Sequence, residues 1–366
     1  MKENKNRDRV KNFRLIASVS LLVFYVVIGA SCSRHLSPNA EQLALGKPFT
    51  KQLKNDEIHS YTVKLEKNQF LSLSIEQHDV DVITKVFAPN DESLGEFDTP
   101  TSGRGTEQVR IGAETSGEYR VDIYTLSAGA EPGQYTLQQT ALRPISELDR
   151  KILSAIKLHQ ESDRLRAKPE TRRASLPLYE QALRIWREVG EQADEANTLR
   201  AMGFAYQRLD ELENAKERFG QALDIWETIG DWRSAAFTHI IFGVISKKGN
   251  DYENGLQEDL KALPLWEKAD DPAGYTQNLV RIGNDYVKLQ NKAEAVSYFQ
   301  RALEYSRRVE SISVKAYVLS QCGDAHLAFG NKNEALNFYQ ESLAIWESLK
   351  QEKAISDLKE KIAKSG

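Results

Sequence analysis

Five octets recur in the second half of the chain: YEQALRIW (179–186), FGQALDIW (219–226), DLKALPLW (259–266), FQRALEYS (299–306) and YQESLAIW (339–346). Each octet begins 40 residues after the one before it. Four glycines keep the same 40-residue period within apolar segments: Gly203, Gly243, Gly283 and Gly323. Because two independent series share one period, this half of the chain is predicted to be an array of structural repeats.

The segment after Pro144 is rich in Ala, Leu, Glu, Gln, Lys and Arg, and its apolar residues follow a helical period. This pattern predicts helices, and each repeat unit is long enough for a helical hairpin. The glycine lies on the face of the first helix that meets the second helix, where the missing Cβ lets the two helices approach closely. Stacked hairpins of this kind form a solenoid.

The order of residues in each unit resembles the tetratricopeptide repeat (TPR). In one unit Met202, Gly203 and Tyr206 belong to the first helix, and Ala215 and Phe219 belong to the second. The period exceeds the usual repeat length of about 34 residues and resembles the longer arrays of the kinesin light chain type. The resemblance implies a degenerate first unit at 147–190, clear units at about 195–229, 235–269, 275–309 and 315–349, and a capping helix at 350–366.

Before the repeats, residues 45–142 alternate apolar and polar side chains in short runs separated by turn residues such as Pro132-Gly133. Alternation buries one face of a strand, and many short strands need a second sheet to cover that face. The predicted fold class is therefore α+β multidomain, with an N-terminal antiparallel β-sandwich followed by an all-α TPR-type solenoid at 147–349.

The sandwich segment also resembles a known family. The strings HSYTVKLEKNQFLSLSIEQH (59–78), SGEYRVDIYTL (116–126) and PGQYTLQQT (132–140) are similar to pre-peptidase C-terminal-like domains. In exported bacterial proteins such a sandwich precedes a TPR array and often a CHAT protease domain. This chain stops at Gly366, so the resemblance transfers no protease activity.

The segment 1–31 is predicted to be a signal peptide or a membrane anchor. Basic residues precede an uncharged run from Leu15 to Ser33, as in export signals. Gly29-Ala30-Ser31-Cys32 resembles a lipobox, which implies lipidation of Cys32, a tether at 32–44 and an exported lipoprotein of the periplasm or outer membrane. The alternative is an inner-membrane anchor at 15–33, since an apolar helix of about 20 residues can span a bilayer.

Charge and motifs exclude several functions. The 49 basic and 53 acidic residues give a net charge of -4, which offers no general attraction to nucleic acid. The motifs HExxH, GxGxxG, GxxxxGK[ST], GxSxG and CxxC are absent. Cys322 occupies an apolar packing position, and the carboxylates Asp79, Asp81, Asp91 and Glu92 are only a weak calcium signal. We therefore predict no catalytic site, metal or cofactor.

The first helices are expected to line a concave groove, as they do in TPR arrays. The resemblance places the following set on the groove face, called the groove residues below: Asn197, Arg200, Phe204, Gln207, Phe237, Ile240, Val244, Lys247, Gln277, Arg281, Asn284, Lys288, Tyr317, Gln321 and Asp324. Arg200, Lys247, Lys248, Arg281 and Lys288 make the middle basic, and Phe204, Phe237 and Tyr317 are the expected apolar anchors. The expected partner is therefore a protein or peptide with acidic and apolar character.

These features predict a non-enzymatic scaffold or adaptor at the cell envelope. One alternative is a regulatory or substrate-recruiting subunit of a CHAT or caspase-like proteolytic system encoded on another chain. Another is an envelope carbohydrate-binding module that uses Tyr61, Phe70, Tyr119 and Tyr124 of the sandwich.

Overall fold

The computed structural model describes residues 40–43, 46–54, 57–78, 80–98, 104–125, 132–309 and 311–365. These residues form nine strands followed by eleven helices, which agrees with the fold class predicted from the sequence. The described residues belong to one compact unit. The signal or anchor segment 1–31 and the lipidation residue Cys32 lie outside the described residues.

The strands make two sheets. Their bounds are β1 Glu41–Gln42, β2 Phe49–Leu53, β3 Ile58–Leu65, β4 Gln69–His78, β5 Ile83–Phe87, β6 Ser93–Phe97, β7 Arg104–Gly112, β8 Gly117–Tyr124 and β9 Gly133–Pro144. One sheet has the order β1-β3-β8-β5-β6, and the other has the order β2-β9-β4-β7. Every described pair is antiparallel except β1 with β3.

The core of the sandwich lies between the sheets, and the period-two pattern fills it. Leu71, Leu73 and Ile75 of β4 are fully buried, as are Val121 and Ile123 of β8. Side chains of a strand point alternately to its two faces, so these residues share the inner face of each sheet. The alternation seen in the sequence is therefore the pattern of one covered face.

The structure corrects two limits of the sandwich. Residues 41 and 42 were expected in the tether, but they pair in parallel with Tyr61 and Thr62 of β3, and Leu43 next to them is buried. At the other end β9 continues to Pro144, where it pairs with Gln69. The segment 41–43 is too short to show alternation, which is why the sequence pattern missed it.

The helices are α1 Glu147–Ala167, α2 Arg172–Val189, α3 Gln192–Arg208, α4 Leu212–Ile229, α5 Trp232–Lys248, α6 Tyr252–Lys268, α7 Pro272–Lys288, α8 Lys292–Ser306, α9 Ile312–Ala328, α10 Lys332–Ser348 and α11 Glu352–Ser365. They pack as consecutive hairpins from α1/α2 to α9/α10. The helix α11 closes the array, where Leu358 packs with Ala335 and Tyr339.

First helices begin a little earlier than the sequence pattern indicated. The helix α5 begins at Trp232 rather than near 235, and α7 begins at Pro272 rather than near 275. Asp231 and Asp271 explain these starts, because their carboxylates accept hydrogen bonds from the backbone N–H of Ser234 and Gly274. Such caps satisfy the free N–H groups of a first helical turn, and they precede the apolar pattern.

The repeated glycine makes room for an aromatic ring of the second helix. A methyl group added at Gly203 would lie 2.5 Å from Cε1 of Phe219, and one added at Gly323 would lie 2.5 Å from Cε1 of Tyr339. Gly283 and Phe299 repeat this contact at 3.0 Å. The two series that recur along the array, the glycines and the first residues of the octets, are thus two sides of one contact.

Within the described part of the chain, no helix combines the length and the apolar character that a bilayer span requires.

The glycine contact predicts opposite effects for two Gly→Ala substitutions. Gly203→Ala places a methyl group against the buried ring of Phe219, and overpacking should lower the free energy of unfolding by about 1–3 kcal/mol. In Gly220→Ala in α4 the added methyl group meets no atom within 4 Å. Because alanine favours a helix more than glycine does, this substitution should raise the free energy of unfolding by up to about 1 kcal/mol. Urea unfolding measures both values. Equal effects of the two substitutions would show that the ring does not require the glycine.

Candidate functional site

The groove residues lie on the first helices α3, α5, α7 and α9. All of them except Arg200 retain partly or fully exposed side chains, and Gln277 and Lys288 are the most open. Neighbours on the same helices, such as Leu199 and Leu279, are fully buried in the array core. Each first helix therefore has a packed face and a face that meets solvent.

The positive charges expected in the middle of the groove are paired within the chain. Lys247 Nζ contacts Asp259 Oδ2 at 2.6 Å and both carboxylate oxygens of Asp285 at 2.8 Å. Arg281 Nε lies 3.3 Å from Asp259 Oδ1. We call Lys247, Asp259, Arg281 and Asp285 the ionic cluster. The prediction that Lys247 and Arg281 present free positive charge is wrong, because two buried aspartates pair with them.

The ionic cluster replaces the glycine–aromatic contact in one unit. Asp259 stands one repeat period after Phe219 and one before Phe299, at the position of the ring. Its Oδ1 would lie 3.1 Å from a methyl group at Gly243, and its side chain is fully buried. A buried carboxylate needs partners, so Lys247 and Arg281 turn toward it. The sequence carried one signal, the Asp that begins the octet at 259–266.

Burial raises the pKa of Asp285 to about 7. Loss of solvation is the main cause; the nearby Asp259 carboxylate adds to the rise, and Lys247 opposes it. The carboxyl therefore changes charge near neutral pH while it contacts Lys247.

Arg200 is the groove residue that the structure moves furthest from expectation. Arg200 is only 5% exposed, and its Nη2 donates a hydrogen bond of 2.7 Å to Asn197 Oδ1. Its guanidinium lies 5.8 Å from the ring centre of Trp226. Burial lowers its pKa, but a guanidinium remains protonated in proteins. Arg200 is thus a buried cation rather than part of an open basic surface.

The sandwich rests on the helices beside Arg200, and residues of its strand β7 line the same two cavities as Arg200. Arg110 of β7 contacts Glu191 at 3.3 Å and Asp194 at 2.6 Å. Arg143 of β9 forms a two-pronged pair with Asp149 of α1, with one N–O distance of 2.8 Å. Charge-assisted, bidentate contacts of this kind fix orientation as well as proximity.

Apolar contacts also hold the sandwich against α1. Ile156 of α1 packs against the sandwich core. A methyl group added at Gly112 would lie 2.7 Å from Cδ1 of Leu153. The strand β7 therefore lies directly on α1 without room for a larger residue.

Two cavities lie between the sandwich and the helices, and Arg200 lines both of them. The first, which we call the junction cleft, measures about 190 Å³ between strands β6 and β7 and helices α1, α2 and α3. The second measures about 350 Å³ between β7 and helices α3 to α6, and Trp226 and Trp266 form part of its wall. We call it the indole pocket.

The junction cleft is lined by charged groups. Asp98 faces it, and loss of solvation together with the carboxylates of Asp81, Glu96 and Asp163 raises its pKa to about 6. Asp163 stands at the repeat position of the glycines and accepts a hydrogen bond from Tyr179 Oη at 2.5 Å. Although burial opposes its ionisation, His159, Arg166 and Tyr179 hold the pKa of Asp163 below its usual value.

Several other groove residues also have partners within the chain. Asn284 donates to Gln321 at 2.9 Å. Asp324 accepts from Tyr339 at 2.8 Å and pairs with Lys361 of the capping helix at 2.7 Å. Phe204 packs edge-on against Phe219. The apolar residues Phe237 and Ile240 pack partly on the core, whereas Gln207, Val244 and Tyr317 are partly exposed.

The remaining candidates are placed as follows. Cys322 is 2% exposed, and burial raises the pKa of its thiol to about 12, so it is not an accessible nucleophile. Tyr61, Phe70 and Tyr119 are buried in the sandwich and cannot present rings to a sugar. The structure contradicts the carbohydrate hypothesis at these three residues. Among the described residues no group of three potential metal ligands occurs.

Comparison with known proteins supports the repeat assignment. Residues 173–228 and 274–348 match the family model described as tetratricopeptide repeat. The chain therefore contains TPR repeats, and the predicted TPR-type solenoid is confirmed. No curated protein matches the chain.

Three solved structures are similar to parts of the chain. Kinesin light chain TPR-like repeats from Podosopora anserina are 12% identical and cover 57% of this chain and 99% of their own, with a TM-score of 0.45. Aspartyl phosphate phosphatase F from Bacillus subtilis is 13% identical over 60% of this chain and 61% of its own, with a TM-score of 0.41. The pre-peptidase C-terminal domain of a Bacillus anthracis collagenase is 13% identical and covers 28% of this chain and 95% of its own, with a TM-score of 0.24.

The ionic cluster predicts a pH dependence of stability. The unfolded chain releases the Asp285 proton near pH 4, whereas the folded chain retains it up to about pH 7. The folded state then binds more protons between these values, so the stability contributed by Asp285 is present below about pH 4 and is lost as pH rises through about 7.

Asp285→Asn removes this titration. The free energy of unfolding of the wild type relative to Asp285→Asn should therefore fall as pH rises, by at most about 1.4 kcal/mol per pH unit. Urea unfolding at several pH values measures the difference, and Asp357→Asn on the exposed side of α11 is the control. Parallel curves for the wild type and Asp285→Asn would contradict the raised pKa.

Proposed function

We propose that this protein is a non-enzymatic scaffold that binds a protein or peptide partner along the groove residues of its TPR array. TPR folds are generally binding scaffolds, and TPR proteins bind protein or peptide partners. The two matched segments and the stacked hairpins support this assignment. The cell envelope is the proposed place of action.

A single observation carries the proposal. The groove residues other than Arg200 keep exposed surface on four successive first helices, while the opposite faces of those helices form the core. Successive helices with one exposed face make an extended surface suited to an extended or helical segment.

The ionic cluster changes the proposed chemistry of the partner. Asp259 and Asp285 pair with Lys247 and Arg281. We therefore propose that attraction of the groove to acidic side chains is not the main source of its affinity for the partner. We propose that apolar side chains of the partner contact Phe237, Ile240 and Val244. An acidic side chain would then meet the exposed Lys288.

A matched pair of double variants tests the groove. Gln277→Glu with Lys288→Glu alters two exposed groove residues of α7, and Gln257→Glu with Lys261→Glu makes the same charge change at exposed residues of α6. The groove variant should lose partner affinity by at least about tenfold, which corresponds to about 1.4 kcal/mol. The α6 variant should bind as the wild type does.

The assay captures partners from envelope extract and then measures the dissociation constant of each one identified. Circular dichroism checks that both variants keep wild-type helicity. If both double variants hold the same proteins with wild-type affinity, the groove face is not where the partner binds.

The location is a separate proposal, namely that the protein is exported and held at a membrane by lipid on Cys32. The basic N-terminus, the uncharged run and the lipobox-like residues before Cys32 support it. Cys32→Ala should move the protein from the membrane fraction to the soluble fraction. A Cys32→Ala protein that stays in membranes at full length would instead favour an uncleaved anchor at 15–33.

A further inference from the structure

The indole pocket contains a buried cation that lacks an acidic partner. Among the residues that the structure describes, no carboxylate oxygen lies within ion-pair distance of Arg200, and its one hydrogen bond goes to the amide oxygen of Asn197. Asp231 and Glu107 attract its charge from further away. Burial of an unpaired ion is unfavourable, so an anion that reached Arg200 would gain a strong interaction.

The other charged groups around the pocket already have partners. Asp194 pairs with Arg110 at 2.6 Å. Asp231 accepts from the backbone N–H and the hydroxyl of Ser234 at 3.0 and 2.8 Å. Arg233 lies 3.3 Å from Asp271. None of these groups can turn to Arg200 without giving up a contact of its own.

The walls of the pocket are aromatic. Trp226 and Trp266 are 2% and 5% exposed, and Phe237 of α5 lines the same pocket. The Nε1–H groups of both tryptophans are buried and have no hydrogen-bond partner among the described residues. Buried polar groups are paired in the great majority of cases, but Trp186 has the same unpaired Nε1–H outside this pocket, so the unpaired guanidinium of Arg200 is the observation that points to a ligand.

We propose that the indole pocket binds a small carboxylic acid with an apolar body, whose carboxylate pairs with Arg200 and whose body contacts Trp226 and Trp266. The planar guanidinium matches a carboxylate through two parallel hydrogen bonds. A doubly charged phosphate fits less well, because Asp194 and Asp231 line the same pocket. The pocket has the size of small-molecule sites, about 300 Å³ or more.

The inference goes beyond the proposed scaffold function and does not require a protein partner. Its test uses the purified chain, and the probe is phenylacetate, which joins one carboxylate to one apolar ring. Phenylacetamide has the same shape without the charge, and inorganic phosphate has charge without the ring. Titration calorimetry gives the affinity, and tryptophan fluorescence reports contact with the pocket wall.

Phenylacetate should bind saturably and should change the tryptophan fluorescence, whereas phenylacetamide and phosphate should bind at least about tenfold more weakly. Arg200→Gln should weaken phenylacetate binding by at least about tenfold, which is about 1.4 kcal/mol. Arg308→Gln, an exposed arginine outside the pocket, is the control and should bind phenylacetate as the wild type does.

Thermal unfolding keeps the test decisive if Arg200→Gln alters the fold. Without a probe, Arg200→Gln should melt no lower than the wild type, since it removes an unpaired buried charge. Saturating phenylacetate should raise the melting temperature of the wild type and of Arg308→Gln but not of Arg200→Gln.

Three results would overturn the proposal: no saturable binding of phenylacetate to the wild type, equal binding of phenylacetate and phenylacetamide, or unchanged phenylacetate binding by Arg200→Gln. Binding of an amidated peptide with an internal glutamate, but not of phenylacetate, would also overturn it. That result would assign Arg200 to the partner groove.

Discussion

The contact between a glycine and an aromatic ring sets the geometry of the array. In three units the ring of the second helix occupies the space where a Cβ of the first helix would stand. Because the ring needs that space, glycine and ring must recur together, and the period that they share becomes the length of the structural unit. The exposed faces of the first helices follow from this contact, since it decides which face is packed.

Two units keep the close approach but change its chemistry. In the unit of α5 and α6 the ring is replaced by Asp259, and in the unit of α1 and α2 the glycine is replaced by Asp163, which meets the ring of Tyr179. The buried carboxylate of Asp259 must find cations and donors, and the partly exposed carboxylate of Asp163 has them as well. Lys247 and Arg281 supply them in one unit, and Arg166 and His159 supply them in the other. The charges that the sequence places on the groove are thus partly needed by the core.

These replacements explain how much of the structure could be predicted from the sequence. Periodicity gave the helical hairpins, the packing glycines and the solvent-facing positions, because each depends on residues within one unit. It could not show that Lys247 reaches Asp285, 38 residues away in the next unit. The octet at 259–266 contained the signal, since an Asp at a ring position predicts a buried carboxylate. The strands of the sandwich could be predicted in the same way from their alternating residues, whereas the strand at 41–42 is too short to show alternation.

The environment of Arg200 was beyond any argument from repeats, because it is made by two different folds. Register places Arg200 beside Asn197 on the open face of α3, but residues of β7 line the same cavities as Arg200. Arg110 holds the strand there through Glu191 and Asp194. The sandwich is therefore a wall of the sites at the start of the array as well as a module before it.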